Sequence, residues 1–540
     1  MKKILSIFTV LALSISMNCC SDFIDVKPRG QQTLDNYFAT ADECQFFVNG
    51  IYKRLFLHDD WSQLLAPFLS NMMATDDAWM GSTTQNTDDH RAVAHYGITP
   101  TFLARVDGLY RFRYENVSNC NYAIDRIPKA PIAEDLKAYL VAQAKFCRAY
   151  NYYELACNFG GMALVSAPIG TSEMNKTRST IEETWQFIID DLKDAERDSP
   201  NLSPKQAMGR VSKGACQALL ARVYLFKGDH ANAYSYADQV IKSGIYSLEP
   251  NYLDLYSVDN HNGVESIFEI QTAAESDKTV GNQLPTYAGG RGENRAYFPS
   301  NSSGDVMDGW GWCMPTSDLE NCFLSENDEI RRRTTITRFM EPVYGDEELN
   351  PTYYFQPDAN KSQRVIRKYY LPIAVRRQYT VDRRRREALN FTILRLAEMY
   401  LTRAEAAYYT NNSSQALADI NFVRARVNLP PKTGLSGNDL IYAIWKERRM
   451  EHAFEGFRLY DIRRQIDPAT GKPMIATIMG PNGTFVQYNL GPNADPVEAN
   501  NTQELQNKGY FFDINKHLLW PIPQTEIDRS MGTITQNPGY

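Results

Sequence analysis

The clearest pattern along the chain is a pair of apolar runs separated by a short polar turn. Nearly every position from 215 to 226 is apolar, the chain turns at Lys227-Gly228-Asp229, and apolar residues then recur with helical spacing up to Ser243-Gly244. The glycine at the end supplies the left-handed conformation in which helices commonly terminate. This stretch therefore predicts two antiparallel helices joined by a tight turn.

A second stretch repeats this organisation nearer the C-terminus. Apolar residues follow a helical period from 393 to 408, a polar turn occupies 411–414, and a further periodic run stops before Pro430-Pro431. In both stretches alanines stand where the paired helices must cross, because close helix approach needs small side chains. Tetratricopeptide-type repeats use this pattern, so we expect stacked helix hairpins.

Weaker helical patterns and two long irregular stretches complete the chain. The irregular stretches, 248–379 and 468–509, are rich in Gly, Asn, Ser, Tyr and Pro, and short strands are expected in the first of them at 266–271 and 363–370. Long irregular segments on a rigid scaffold usually carry function, so we expect a binding site there. The weaker helices are expected at 41–57, 61–73, 103–127, 132–159, 180–196 and 440–454.

The first twenty residues have the character of an export signal. Lys2 and Lys3 precede an apolar run from 4 to 17, and Cys19 and Cys20 follow it. The run is shorter than the roughly 20 apolar residues that span a bilayer, and no later segment approaches that length, so no transmembrane helix is predicted. We expect a signal peptide at 1–19 and acylation of Cys20, with Cys19 as the alternative acylated residue; acyl chains then anchor the protein to a membrane. The other alternative is plain secretion with two free thiols.

Composition argues against several classes of function. A formal net charge of −7 argues against nucleic-acid binding, because a phosphate-binding domain concentrates basic residues. The arginine clusters 331–333 and 383–386 have acidic neighbours and predict solvated or ion-paired helix faces. Neither the cysteines after Cys20 nor the histidines have the spacing of a disulfide framework or a metal site, so no metal or cofactor is expected. A weak likeness to a calcium loop at 258–263 lacks the terminal Glu and leaves calcium unproven.

Several strings, in a fixed order along the chain, are similar to the conserved strings of one family. They are Cys-Ser-Asp-Phe-Ile-Asp at 20–25, Phe-Cys-Arg-Ala-Tyr at 146–150, Asn-Phe-Gly-Gly at 158–161, Glu-Arg-Arg-Met-Glu-His-Ala-Phe-Glu-Gly-Phe-Arg at 447–458, Trp-Pro-Ile-Pro at 520–523 and Gln-Asn-Pro-Gly-Tyr at 536–540. Together they resemble the SusD/RagB family of outer-membrane nutrient-binding lipoproteins of Bacteroidetes. The resemblance spans the whole chain after the signal peptide.

The resemblance implies a mainly all-α protein in which tetratricopeptide-like helix hairpins form one scaffold and long loop-rich insertions carry short strands. We place the scaffold at about 35–245 and 385–465 and the loop-rich, ligand-binding part at about 246–384 and 466–510, within one composite domain of 20–540. Family members are lipid-anchored at the outer membrane, face the cell exterior and deliver cargo to a TonB-dependent, SusC-like transporter. The implied cargo is an oligosaccharide, or a peptide in some members.

One set of candidate ligand contacts surrounds Trp79. A sugar site needs exposed aromatic rings for the flat faces of the sugar, flanked by amide, carboxylate and guanidinium groups for its hydroxyls. Trp79 follows Asp77 and precedes a polar loop that contains Asn86. We therefore expect Trp79, Asp77 and Asn86 to contact ligand; the alternative is that Trp79 is a core anchor at a helix end.

A second set lies in the Gly-Trp-Gly-Trp string at 309–312 and the polar stretch before it. Glycines free the backbone and leave the neighbouring rings poorly covered. We expect Trp310, Tyr297 and Arg295 to contact ligand, whereas simple packing remains the alternative for Trp312.

The chain is not expected to be an enzyme. In the Glu- and Arg-rich helix at 447–464 a carboxylate beside two guanidiniums is held ionised, which suits an ion pair and not a general acid. The sequence also lacks the common nucleophile, metal-hydrolase and nucleotide-binding motifs. Three alternatives to oligosaccharide capture stay open: a helical-repeat scaffold or lid without its own ligand, a peptide-binding member of the same family, and a glycoside hydrolase.

Overall fold

The computed structural model describes residues 37–55, 65–81, 87–104, 106–170, 176–273, 281–290, 309–346, 362–372, 375, 388–491, 495 and 508–540. The signal peptide, Cys19, Cys20, Asn86, Arg295, Tyr297 and the arginine cluster 383–386 lie outside these residues.

Helices make up most of the described chain, which confirms the mainly all-α class. Those before residue 245 are α1 (Ala41–Lys53), α2 (Leu65–Met73), α3 (Thr87–Ala94), α4 (Asp107–Arg126), α5 (Glu134–Phe159), α6 (Ile181–Asp198), α7 (Pro204–Ala207), α8 (Lys213–Lys227) and α9 (His230–Lys242). Those after it are α10 (Leu284–Ala288), α11 (Ser317–Leu324), α12 (Glu329–Thr335), α13 (Leu396–Tyr409), α14 (Ser413–Arg426), α15 (Gly437–Glu451), α16 (Arg458–Arg464), α17 (Met474–Ile478), α18 (Thr484–Asn489) and α19 (Gln524–Arg529).

The two predicted hairpins are present as α8–α9 and α13–α14. Gly228 ends α8 in the left-handed conformation (φ +82°), and the Asp229 side chain accepts a hydrogen bond from Asn232 N to begin α9. The long helices pack as a series of neighbours, α4 on α5, α5 on α6, α6 on α8, α8 on α9, α9 on α13 and α13 on α14. These stacked antiparallel helices form the scaffold that the sequence predicted.

Six short strands pair in three antiparallel two-stranded sheets in the described part. The strands are β1 (Ala78–Gly81), β2 (Ser266–Ile270), β3 (Trp312–Pro315), β4 (Ile336–Arg338), β5 (Arg364–Ile366) and β6 (Phe391–Arg395), and the pairs are β1–β3, β2–β6 and β4–β5. Strands β2 and β5 were expected. The helical periodicity predicts that Ile393 lies in a helix, and this prediction is wrong. Residues 391–395 pair with β2, and the helix begins only at Leu396.

The Glu- and Arg-rich helix is the centre of a buried ion-pair network, as predicted. Glu451 on α15 accepts hydrogen bonds from Arg395 Nη1 (2.5 Å), from Arg331 Nη1 (3.1 Å) and from Arg426. Burial raises the pKa of Glu451, but the guanidiniums of Arg426, Arg395 and Arg331 outweigh burial and hold the pKa well below its usual range. The ionised carboxylate therefore fastens α15 to β6, α12 and α14, and it is unsuited to donate a proton.

Of the helices in the described ranges, none combines the length and the apolar character needed to cross a bilayer.

Candidate functional site

The sheet formed by β1 and β3 carries two of the residues singled out in the sequence, Trp79 and Trp312. Trp79 lies opposite Met314, and Gly81 lies opposite Trp312. A Cβ atom on Gly81 would lie 2.0 Å from the carbonyl oxygen of Gly311, and Gly81 has φ +70°. Glycine at this position therefore allows the backbones of these two segments to approach closely.

The chain leading into β3 runs beside the end of α10. Trp310 N donates to Thr286 O (2.8 Å), Gly311 N donates to Gly289 O (2.9 Å), and Gly309 N donates to Gly290 O (3.1 Å). Gly290 and Gly309 flank the stretch that contains Arg295 and Tyr297, and Gly81 precedes the one that contains Asn86. Gly290, Gly309 and Gly81 therefore lie together at one edge of the β1–β3 sheet, beside the two stretches that contain the predicted ligand contacts.

Three aromatic side chains pack together at this edge, and we call Tyr287, Trp310 and Trp312 the aromatic cluster. The ring centroids of Tyr287 and Trp310 are 4.6 Å apart, those of Tyr287 and Trp312 are 4.9 Å apart, and those of Trp310 and Trp312 are 5.2 Å apart. Tyr287 and Trp312 are buried, whereas Trp310 is partly exposed. Packing, the alternative considered for Trp312, is what the structure shows, and Trp310 is the ring of the cluster that can meet a ligand.

The expectation of an exposed ring at Trp79 is wrong. Trp79 is 2% exposed, its ring packs 5.9 Å from Phe485, and its Nε1 donates to Asp495 Oδ2 (2.6 Å). Its indole group therefore faces the protein interior, as the core-anchor alternative proposed. The reason is tertiary, since Asp495 comes from a distant part of the chain.

The expectation that the Asp77 carboxylate is available to ligand hydroxyls is also wrong. Asp77 is buried, and its Oδ1 accepts from Arg449 Nε (2.7 Å), while Arg449 Nη2 donates to Asp318 Oδ2 (2.7 Å). Burial raises the pKa of Asp77, although Arg449 opposes this shift. For the neighbouring Asp76, burial also raises the pKa, but Arg449 and Arg458 outweigh it and leave the pKa below its usual range. This arrangement joins β1 to α15 and α11.

The residues that support Trp310 and Trp79 have no clear signal in the sequence. Tyr287 lies in a helix of five residues, too short to show periodicity, and Asp495 is a single acidic residue in an irregular stretch. A usable signal was the set of glycines at 289–290, 309 and 311, because glycines in such a pattern mark close backbone approach.

Among the residues that the structure describes, no group of three or more His, Cys, Asp or Glu side chains is placed to hold a metal ion. In the stretch that weakly resembles a calcium loop, Asn260 donates to Glu249 Oε2 (2.9 Å) and Asn262 Nδ2 donates to Gln271 Oε1 (3.0 Å). These side chains hold the local turn together.

Comparison with known families identifies the chain. Residues 264–540 match the SusD family, and residues 22–225 match a family described as starch-binding associating with outer membrane. The match to the SusD family covers more than half of the chain. The protein therefore belongs to the SusD family, as its sequence motifs indicated.

Individual relatives agree over nearly the full length. The chain is 26% identical over 559 residues to SusD-like protein P2 of Formosa agariphila, covering 100% of both chains. It is 25% identical over 577 residues to starch-binding protein SusD of Bacteroides thetaiotaomicron, covering 94% of this chain and 99% of that one. The second of these relatives is named for starch binding, which agrees with the expectation that this chain is a binding protein and not an enzyme.

Solved structures show the same fold. A laminarin-binding SusD-like protein superposes with a TM-score of 0.74 at 24% identity, covering 93% of this chain and 100% of that one. Surface glycan-binding protein A from Bacteroides thetaiotaomicron in complex with laminarihexaose superposes with a TM-score of 0.72 at 20% identity, covering 92% and 99%.

Proposed function

We propose that this protein binds a carbohydrate, specifically an oligosaccharide, and that Trp310 contacts it. The observation that carries the proposal is the partly exposed Trp310 ring on a buried aromatic base. This ring lies beside Gly290 and Gly309, which flank the stretch with Arg295 and Tyr297, and near Gly81, which precedes the stretch with Asn86. Membership of the SusD family, with relatives named for binding starch and laminarin, supports the choice of ligand class.

Trp310 has the chemistry that such a ligand requires. An indole face offers a flat apolar surface to a sugar ring, and a stacking contact of this kind contributes roughly 0.5–1.5 kcal/mol beyond its buried area. We propose Asn86, Arg295 and Tyr297 as the groups that complete the site with an amide, a guanidinium and a further ring. A few such contacts give affinities in the micromolar to millimolar range.

Calorimetric titration with a panel of polysaccharides and oligosaccharides tests the proposal. We expect one glycan class to bind and Trp310→Ala to weaken its binding about tenfold, or about 1.4 kcal/mol, while Trp310→Tyr retains most of the affinity because it keeps a ring. Phe422→Ala is the matched control, since Phe422 is an exposed aromatic residue (49%) on the helical scaffold. Unchanged affinity in a folded Trp310→Ala protein would remove Trp310 from the site.

The same titrations separate the alternatives. A scaffold or lid without its own ligand gives no heat with any glycan, and the burial of Trp79, which removes one expected ring, is the observation in favour of that alternative. A peptide-binding member responds to oligopeptides in the panel instead. Release of shorter sugars during incubation would indicate a glycoside hydrolase.

We also propose that the protein is lipid-anchored at the outer membrane, faces the cell exterior and delivers its ligand to a TonB-dependent, SusC-like transporter. The export pattern at 1–20 and the outer-membrane description of the family matched at 22–225 support this. Purification of the tagged full-length protein from detergent-solubilised outer membranes should recover such a transporter. Recovery of the protein alone under mild detergent would contradict this part.

A further inference from the structure

Asp495 is a buried carboxylate at which three structural elements meet. It is 1% exposed, and its Oδ2 accepts from Trp79 Nε1 of β1 (2.6 Å) and from Ser317 N at the start of α11 (3.1 Å). Its Oδ1 accepts from Arg364 Nη1 at the start of β5 (2.6 Å). One side chain therefore serves three donors that lie far apart in sequence.

The charge of Asp495 is balanced within the same network. Arg364 also donates through Nε to Glu320 Oε2 (2.7 Å) on α11 and through Nη1 to Ser362 O (2.8 Å). A buried donor that loses its acceptor still bears the full cost of desolvation. Removal of the Asp495 carboxylate would leave the Trp79 indole N–H, the Ser317 backbone N–H and one guanidinium nitrogen of Arg364 without this acceptor. The arrangement therefore favours one position of β1 relative to β5 and α11.

That position is transmitted to Trp310 through the β1–β3 sheet. Trp79 is in register with Met314, and Gly81 is in register with Trp312, whose ring packs against Trp310. The hydrogen-bonded register, together with the close approach of Gly81 to Gly311 where no Cβ atom would fit, couples the position of β3 to that of β1.

We infer that Asp495 is a positioning residue: by holding the Trp79 indole it fixes β1 and β3 and thereby the Trp310 ring. Its importance for ligand binding rests on the proposed function, whereas its effect on Trp310 does not. A binding group must be held within about 0.5 Å of its productive position, so loss of this support should weaken glycan binding about fivefold to tenfold without removal of any ligand contact.

The ¹⁹F resonance of Trp310 in protein labelled with 5-fluorotryptophan reports the position of the ring directly. The sequence contains seven tryptophans, and Trp310→Phe assigns the signal. We expect Asp495→Leu to shift or broaden the Trp310 signal in the absence of ligand, and Asp495→Asn to do so less, because an amide oxygen can still accept from Trp79 and Ser317. Glycan affinity should fall in the same order.

Asp191 provides the matched control. It is also a buried carboxylate (4% exposed), and it accepts two hydrogen bonds of 2.7 Å from Arg148 on the helical scaffold. Asp191→Leu and Asp191→Asn should lower the melting temperature and leave both the Trp310 signal and glycan affinity unchanged.

The outcomes separate the inference from the proposed function. If Asp495→Asn and Asp495→Leu lower stability as the Asp191 variants do but leave the Trp310 signal of the free protein unmoved, Asp495 is only structural and the inference fails. Should Asp495→Leu not fold, the Asp495→Asn spectrum decides alone. If the wild type shows neither heat nor a change in the Trp310 signal with any glycan, the proposed function fails, and the ligand-free spectra still test Asp495.

Discussion

The indole Nε1 of Trp520 donates a hydrogen bond to Asn71 Oδ1 (3.0 Å), and both side chains are buried. Asn71 Nδ2 in turn donates to Asn158 Oδ1 (3.0 Å), and Asn158 Nδ2 donates to the Tyr460 hydroxyl (2.7 Å). This polar chain joins α2, α5, α16 and the C-terminal Trp-Pro-Ile-Pro string. It gives a physical role to two of the strings that resemble the SusD family.

Asn71→Leu should therefore destabilise the protein strongly. The substitution leaves the Trp520 N–H and the Asn158 amide oxygen without a partner in the interior, and we expect the free energy of unfolding to fall by about 2–3 kcal/mol. Chemical denaturation followed by circular dichroism measures this. Asn201→Leu, at an exposed loop position, should change it by less than about 0.5 kcal/mol; equal effects of the two variants would refute the role of the network.

Gly81→Ala should cost more stability than the same change at another glycine of similar conformation. Gly434 has φ +68°, and a Cβ atom there would meet no other atom within 4 Å. Gly81 has φ +70°, but a Cβ atom there would collide with the carbonyl oxygen of Gly311. Gly434→Ala thus measures the backbone strain alone, about 1 kcal/mol, and Gly81→Ala should exceed it by at least about 1 kcal/mol because the sheet must open. Similar melting temperatures for the two variants would mean that the strands separate freely.

The lowered pKa of His517 should make the folded protein less stable as the pH falls below 6.5. The pKa of His517 is lowered to about 4, chiefly by burial and also by the nearby Lys516 and Arg463 charges, while the Asp513 carboxylate opposes the shift. Its Nδ1 accepts from Asp513 N (2.8 Å), which requires the neutral ring on that side. Between pH 6.5 and about 4 the unfolded chain binds the proton that the folded protein refuses, so acidification favours unfolding.

The contribution of His517 can be isolated by comparison with His517→Asn, which keeps an acceptor near the Nδ1 position. Between pH 7 and 4 the wild type should lose about 1–2 kcal/mol more than the variant, and below about pH 4 the two curves should run parallel. Melting temperatures in a pH series give both curves. Parallel curves throughout would show that His517 titrates normally in the folded protein.

Cys20→Ser should release the protein from the membrane if Cys20 is the acylated residue. Labelled fatty acid should enter the wild type and Cys19→Ser but not Cys20→Ser, and the Cys20 variant should leave the membrane fraction, because acyl chains supply the binding energy. Incorporation that depends on Cys19 instead would move the anchor by one residue.

The sequence by itself determined the helical scaffold and the family. The hairpins α8–α9 and α13–α14 follow from apolar periodicity and from local end signals such as Gly228 and Asp229, because a helix is held by bonds between residues four apart and by a cap at its end. The ion-paired nature of Glu451 and Arg331 was also predictable from charge alone.

Only the tertiary structure decided which aromatic rings are covered. Trp79 and Trp310 both stand beside polar residues and a nearby glycine in the sequence, yet Trp79 is buried and Trp310 is partly exposed. The difference comes from Asp495, which lies 416 residues beyond Trp79 and accepts its indole N–H. Burial of a ring depends on which distant segment supplies a partner and a packing surface, and no local pattern of apolar and polar residues contains that information.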